Sequence, residues 1–401
     1  MDGDRGPVPH LYVHLPFCRH RCGYCDFVTV VGRRDSQDAY VDALLRELAL
    51  ERGRLREPLE TVFLGGGTPT FLAPALLERV LAALPPASEV TVEANPETVD
   101  ATLARLLRET GVTRVSLGVQ SFRPALLGVL ERGAGPDDVR RAWHALRDVG
   151  FANISLDLLY GIPGQSASDL ERDLAKALAL EPEHLSCYEL EAKPGTRFAH
   201  AWGRELERQA EAMEGYFELV VERLQAAGYR WYETANFCRR ADEASGRDLR
   251  AQHNLGIWRG HDYLGLGIGA VSTVGGVRWR NRPSLGGYVD ALADGRVPAR
   301  DVELLEPPTR AWERVMLGLR LDEALPLAGL DAVIDRASLA RLEAGGLLQR
   351  VAHPAGGGEA IRLTRRGRFL GGAVTAELLR PRDEVGEASD HGFAASLARR
   401  A

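Results

Sequence analysis

The sequence predicts an α/β protein, a partial (β/α)6 barrel followed by a small helical, winged-helix-like domain. Two observations carry this. Short apolar runs alternate six times with segments of helical periodicity over residues 11–190, and from about Pro307 the pattern changes to Arg- and Leu-rich amphipathic stretches. A third sets the scale: 401 residues with 45% hydrophobic and 26% charged side chains are ordinary usage for a folded protein, with room for one large domain and one small one.

The first strand is expected at 11–15 and the first helix at 38–55. A second strand, 61–64, runs into Gly65-Gly66-Gly67-Thr68-Pro69-Thr70. Helix 75–84, strand 90–95, helix 101–109, strand 114–120, helix 137–149, strand 153–160, helix 168–180 and strand 184–190 complete six βα units, which call for a parallel, curved sheet. A long helix follows at 203–228, a strand at 230–234 and a charged loop at 239–250. The stretch 263–270 has glycines two residues apart and no helix behind it, so it reads as a strand or close-packed turn, not a dinucleotide loop. Beyond it come helices at 309–321, 330–334 and 338–345, a strand at 360–364 and a helix at 365–379. The expected organisation is an N-terminal extension at 1–10, the barrel at 11–235, a connecting segment at 236–305, the winged-helix-like domain at 306–379 and a disordered tail at 380–401.

Lys and Arg number 50 against 56 Asp and Glu, a net charge of -6, which leaves no basic excess to hold a nucleic acid backbone. Arg365, Arg366 and Arg368 read as a solvated face. The N-terminus lacks an apolar signal core and no run of about 18 apolar residues occurs. A soluble, cytoplasmic protein is expected, touching a membrane only through a partner.

Of the five cysteines, Cys18, Cys22 and Cys25 fall within eight residues as C-x3-C-x2-C, separated by polar or turn-forming Arg19, His20, Arg21 and Gly23. Such spacing suits a loop wrapped round a metal centre, against the alternative of three small buried hydrophobes. Structural zinc wants four closed ligands, whereas three thiolates suit an iron-sulfur cluster with one iron left open to a small molecule. Cys187 and Cys238 read as ordinary free thiols. Active sites of such barrels gather where strands end. Glu93, Gln120 and Asp157 stand on the last or inward part of three strands, beside the glycine loop and the cysteine loop. Singly each reads as a solvated strand end; together they converge on one mouth. Three consecutive glycines would let backbone amides approach a ligand. No Lys-Ser or Lys-Thr follows them, so this is not a phosphate loop.

Tyr12-Val13-His14-Leu15-Pro16-Phe17-Cys18 through Cys25-Asp26-Phe27 resembles the cluster loop of radical S-adenosylmethionine (SAM) proteins, in the branch of oxygen-independent coproporphyrinogen III oxidases and HemW heme chaperones. Gly65 to Thr70, Glu93-Ala94-Asn95-Pro96, Gly118-Val119-Gln120-Ser121-Phe122, Asp157-Leu158-Leu159-Tyr160-Gly161-Ile162-Pro163-Gly164 and His253-Asn254 extend the resemblance over about residues 11–375. It implies a radical-SAM barrel in which Cys18, Cys22 and Cys25 hold a 4Fe-4S cluster and the open iron is chelated by the amino and carboxylate groups of SAM. Electron transfer into the sulfonium would release methionine and a 5'-deoxyadenosyl radical. It also implies that Tyr12, Tyr24, Gly66, Gly67, Thr68, Glu93, Gln120, Arg132 and Asp157 line SAM: amides for the carboxylate, acids for the ammonium and ribose, an aromatic ring for adenine.

Within the branch, the oxidases carry a further cysteine where Phe27 stands and a longer N-terminal segment than the ten residues preceding the first strand here. Both differences favour the heme chaperones, which resemble this chain also in a H-N-x-x-Y-W motif. His253-Asn254-Leu255-Gly256-Ile257-Trp258 keeps all but the tyrosine, replaced by Ile257. His253 is then the implied heme ligand, the alternative being a hydrogen-bonded structural histidine. The chain also departs from the branch at Ala134 and Val271, where histidine is frequent. The expected function is a heme chaperone holding a 4Fe-4S cluster and SAM, with heme, a heme-acceptor protein and an electron donor as partners. The alternative is a radical SAM enzyme, a coproporphyrinogen III oxidase or a C-methyltransferase; whether SAM is cleaved stays open between them. A DNA-binding winged helix is disfavoured by charge.

Overall fold

The computed structural model describes residues 7–191, 193–240, 246–352 and 358–381. All six expected parallel strands form: β1 (His10–Leu15), β2 (Leu59–Gly66), β3 (Ala87–Ala94), β4 (Arg114–Gln120), β5 (Ile154–Tyr160) and β6 (His184–Glu189). Each pairs in parallel with the next, so chain order is spatial order. The helices between them are α1 (Gln37–Glu51), α2 (Pro74–Ala83), α3 (Ala101–Glu109), the short α4 (Pro124–Val129), α5 (Pro136–Asp148) and α6 (Ala167–Ala179). Local chemistry fixes several starts. The Asp100 carboxylate accepts from the Leu103 amide, and Ser166 and Asp169 satisfy each other's backbone amides in a capping box. Helix α7 (Arg197–Ala226) begins six residues earlier than its periodicity suggests, at the Thr196 cap.

Side chains alternate across a strand, and here the alternation separates two environments. Leu11, Val13 and Leu15 of β1, Val62 and Leu64 of β2, and Val115, Leu117 and Val119 of β4 are buried in the main apolar core. The opposite face carries His10, Tyr12 and His14, then Thr61 and Phe63, Glu89, Thr91 and Glu93, Arg114 and Ser116, Ser155 and Asp157, and His184 and Ser186. These touch one another through hydrogen bonds such as Ser155 Oγ to His184 Nδ1 at 2.8 Å.

The sheet goes further than the six units. Beyond β6 lie the antiparallel β7 (Tyr229–Glu233) and β8 (Asn236–Arg239). On the other side β9 (Tyr263–Leu266) runs parallel to β1, followed by the antiparallel β10 (Val271–Val274), β11 (Val277–Asn281) and β12 (Arg300–Leu304). The order is β12-β11-β10-β9-β1-β2-β3-β4-β5-β6-β8-β7, open at both edges. The glycine-rich 263–270 is thus strand and turn. Gly265 meets the backbone of Val271 so closely that a Cβ there would lie 2.2 Å from its carbonyl oxygen. Residues 253–258, expected to serve heme, lie in helix α8 (Gln252–Trp258), and α9 (Leu285–Ala293) packs on α1.

Helices α10 (Pro307–Gly318) and α11 (Arg336–Ala344) join a three-stranded sheet, β13 (Leu325–Pro326), β15 (Glu359–Leu363) and β14 (Leu348–Ala352) in spatial order, around a second apolar core that includes Val315, Leu339 and Ile361. The helix expected at 330–334 does not form; five residues are too few to repay nucleation, and they make turns closed by Leu330 and Val333 amides. The helix expected at 365–379 breaks at Leu370 into α12 (Arg365–Phe369) and α13 (Gly371–Leu378). Arg368 reaches back to donate to the Trp231 carbonyl at 2.7 Å. The tail expected at 380–401 lies outside the described residues from 382 onward, as do 1–6 of the extension. Among the described residues no helix is long and apolar enough to cross a membrane.

Candidate metal and cofactor site

The loop leaving β1 carries the three cysteines. Its neck is closed by a short parallel pairing of Phe17 and Cys18 with Val30 and Val31, and the Cys25 amide donates to the Cys22 carbonyl at 3.2 Å. Cys18 is buried, its sulfur 3.6 Å from Thr68 Oγ1, and desolvation pushes its thiol up to about 11; burial raises Cys25 too. An isolated thiol there resists ionisation, so the pocket favours a group that brings its own positive charge. Among the described residues the one trio of His, Cys, Asp or Glu donors whose ligand atoms all fall within 4.8 Å is His10, Glu60 and His261.

Arg132 locks this loop to the strand ends. Its Nη1 lies 3.8 Å from Cys22 Sγ, and its Nη2 donates to Asn95 Oδ1 at 2.9 Å and to the Gly118 carbonyl at 2.5 Å. Asn95 Nδ2 in turn donates to Thr68 Oγ1 at 3.1 Å. One hydrogen-bonded chain thus joins the ends of β4, β3 and β2 to Cys18. Sequence reasoning missed Asn95, although it stood in the Glu-Ala-Asn-Pro motif directly after a strand. Burial lowers the affinity of Arg132 for its proton, but Tyr24 and Cys22 outweigh this and its pKa is raised. Tyr24 is held edge-on against Phe198 of α7 at 6.5 Å.

The glycine loop departs from the reason expected of it. The Gly66 amide donates to Glu93 Oε2 at 3.1 Å, the Gly67 amide to the Leu15 carbonyl at 2.9 Å and the Thr68 amide to Phe17 at 2.9 Å, so these amides are engaged within the chain. The glycines serve packing instead. A Cβ on Gly66, whose φ is +105°, would sit 2.3 Å from the His14 ring, and one on Gly67 2.5 Å from the Pro16 carbonyl carbon. Glu93 is pushed up to about 7, first by desolvation and then by the neighbouring Asp157. Gln120 ends β4 with φ +65° after a shift in register, and its amide nitrogen lies beside Gly118.

Asp157 pairs in register with Gly118 and is hydrogen-bonded by Ser116, Ser155 and Ser186. Tyr12 lies lower, opposite Phe63 in register, its ring 6.2 Å from that of Phe63 and its hydroxyl 3.0 Å from His14 Nδ1. His253 lies at the opposite end, five residues down β2 from the glycine loop, roughly 16 Å at strand rise. It is 2% exposed, stacked on Phe63 at 5.2 Å, and burial drives its pKa down to about 3, so the ring is neutral. Its Nδ1 lies 2.8 Å from Thr61 Oγ1, its backbone amide donates to Glu89, and its Nε2 has no partner among the described residues. The same Thr61 oxygen lies 2.9 Å from His10 Nδ1. A hydroxyl has one hydrogen, so in the fully satisfied arrangement one imidazole donates to it and the other accepts from it.

A family model described as the radical SAM superfamily matches residues 12–177. The chain is similar to the heme chaperone HemW of Mycobacterium tuberculosis, 38% identical over 381 residues covering 92% of this chain and 94% of that one. It is similar to the heme chaperone HemW of Bacillus subtilis, at 37% over 77% of this chain and 82% of that one, and to that of Escherichia coli, at 37% over 80% and 84%. Its fold is that of the solved coproporphyrinogen III oxidase HemN of Escherichia coli, a radical SAM enzyme. The TM-score is 0.76 at 23% identity, covering 92% of this chain and 90% of that one.

Proposed function

The chain belongs to the heme chaperone HemW family within the radical SAM superfamily, and from that premise we propose that it binds heme and hands it to an acceptor protein in the cytoplasm, with a 4Fe-4S cluster, SAM and an electron donor as accessories. The observation that carries the reading is the similarity to named heme chaperones over almost the whole chain, together with the neutral, buried imidazole of His253, whose Nε2 has no partner among the described residues. Cys18, Cys22 and Cys25 would hold the cluster, which supplies a reducing electron to bound SAM. Arg132 keeps a positive charge beside Cys22, where it offsets negative thiolate charge. Tyr24, Gln120 and Thr68 would line bound SAM, and Glu93 would present the acidic group suited to its ammonium. Asp157 acts through Glu93, raising its proton affinity by like-charge repulsion.

An anaerobic heme titration of reconstituted protein, followed by absorbance, tests the reading. It is expected to saturate near one heme per chain, with binding weakened at least tenfold in His253→Ala, since neutral imidazole is a standard axial ligand. Saturation untouched by the substitution would move the ligand elsewhere. No saturable binding, accompanied by SAM cleavage products, would turn the reading to the radical enzymes.

The pKa of Glu93 gives a second expectation. Because the ammonium of SAM needs the carboxylate, affinity for SAM falls as pH drops below about 7, by up to about tenfold per unit, and Glu93→Gln binds weakly with a flat profile. The same shift has the opposite sign for the ligand-free fold. A carboxyl raised from 4.5 to about 7 holds more protons folded than unfolded, so its contribution to stability is lost as pH rises through that window. Calorimetric titration of SAM between pH 6 and 8 decides the first point; a pH-independent affinity would remove Glu93 from the ammonium.

A further inference from the structure

At the end of the strands away from the cysteines, three segments distant in sequence bring metal-ligating side chains together. His10 opens β1, Glu60 lies in β2 one residue before Thr61, and His261 stands between α8 and β9. His10 Nε2 and His261 Nδ1 are 3.0 Å apart, their rings stacked with centroids at 5.3 Å, and Glu60 Oε2 is 3.9 Å from His10 Nε2. All three ligand atoms lie within 4.8 Å of one another. Two nitrogens on a shared tetrahedral ion at 2.0–2.1 Å are roughly 3.3–3.4 Å apart, so a few tenths of an ångström separate this arrangement from coordination.

Three further features suit an ion. Thr61 takes up His10 Nδ1, fixing the ring so that Nε2 faces the other donors, as second-shell partners of metal-bound histidines do. Gly256 keeps the space clear, since a Cβ there would fall 2.4 Å from His10 Nε2. The trio opens on a cavity of about 400 Å³ bordered by Glu89, Gln252 and Arg259, which leaves room for water in a fourth position. The competing use of Glu60 is its other oxygen, which accepts from the exposed Arg56 at 3.0 Å and leaves Oε2 available.

We propose that His10, His261 and Glu60 form a binding site for one divalent ion of the zinc class, separate from the cysteine centre and independent of whether the chain carries heme. Two imidazoles and a carboxylate are the donor set of open zinc sites and suit the neighbouring late transition metals. Thr61 gives the site a consequence, which rests on the heme reading. An ion on His10 Nε2 leaves the His10 proton on Nδ1, donating to Thr61. The Thr61 hydroxyl then donates to His253 Nδ1, which places the His253 proton on Nε2. That tautomer has no lone pair to offer a heme iron, so metal at one end of the Thr61 bridge opposes heme ligation at the other.

The test uses holoprotein with its cluster assembled, so that the thiols are already occupied, titrated with Co2+ and then back-titrated with Zn2+. One equivalent of Co2+ is expected to give visible ligand-field bands without the intense near-ultraviolet charge transfer of thiolate coordination, displaced by Zn2+. Binding should weaken at least tenfold in His261→Ala and in Glu60→Gln, both exposed side chains whose loss leaves the fold intact. Absence of saturable binding, or binding indifferent to both substitutions, overturns the site. Heme titrations with and without Zn2+ address the bridge separately. Zn2+ should weaken heme binding in the native chain and not in His261→Ala. Equal heme affinities with the ion demonstrably bound would overturn the bridge and leave the metal site standing.

Discussion

Cys22→Ser protein, reconstituted anaerobically with iron and sulfide, is expected to lose the broad visible absorbance that the native chain acquires. Serine keeps the shape of the side chain, but at neutral pH its hydroxyl is not the soft anionic donor that iron-sulfur clusters use. Only three cysteines stand in the loop, and Cys187 and Cys238 are buried elsewhere, so no neighbour can substitute. The effect should therefore be close to complete. Arg132, raised in pKa partly by Cys22, is left beside a neutral hydroxyl, and its Nε already lacks a partner. Iron and sulfide analysis alongside the spectra settles the matter: a full complement of iron with an unchanged band would remove Cys22 from the ligand set.

The second large effect is expected at Gly67. A methyl group there meets backbone, not movable side chain: Pro16 carbonyl carbon and oxygen at 2.5 and 2.6 Å and the Leu15 oxygen at 2.8 Å. Relief requires β1 and β2 to part where the Gly67 amide bonds to Leu15, which also displaces the root of the cysteine loop. Overpacking of this kind costs about 1–3 kcal/mol or more. Gly67→Ala should lower the melting temperature by several degrees and reduce cluster content after reconstitution. Gly128→Ala, in α4 with nothing within 4 Å of the added carbon, is the control and should be neutral or slightly stabilising. Equal behaviour of the two variants would show that the strand ends yield without cost.

The six βα units were legible because each strand is a dense apolar run and each helix keeps its period of 3.6 between recognisable caps. The cysteine loop was legible because its three cysteines are local in sequence. What escaped depends on pairings across long separations. Strands β10 to β12 are short, antiparallel and glycine-bounded, and they are strands only because β9 lies beside β1. Asn95 looked unremarkable until the ends of β3 and β4 were brought together, and the contact of Arg132 with Asn95 and Gly118 became visible only then. The place of His253 was illegible for the same reason: the motif names the residue, but the wall against which it stacks is built by Thr61 and Phe63, nearly two hundred residues earlier. The glycine loop shows the converse: the run stands out in the sequence, but the crowding of β1 against β2 that excludes a Cβ there is visible only once the two strands are side by side.

The position of β1 between β2 and β9 also orders events in time. His10 pairs with Tyr263, so a ribosome that has released the cysteine loop must add some 240 further residues before the strand beneath it gains its second neighbour. At about 5–20 residues per second that interval is roughly ten to fifty seconds. Glu47 of α1 waits as well, since its donors Gly267, Asn281 and Tyr288 lie 220 to 241 residues downstream. The cysteine loop is among the first segments to be synthesised and among the last to be anchored, and during that interval β1 is an edge strand.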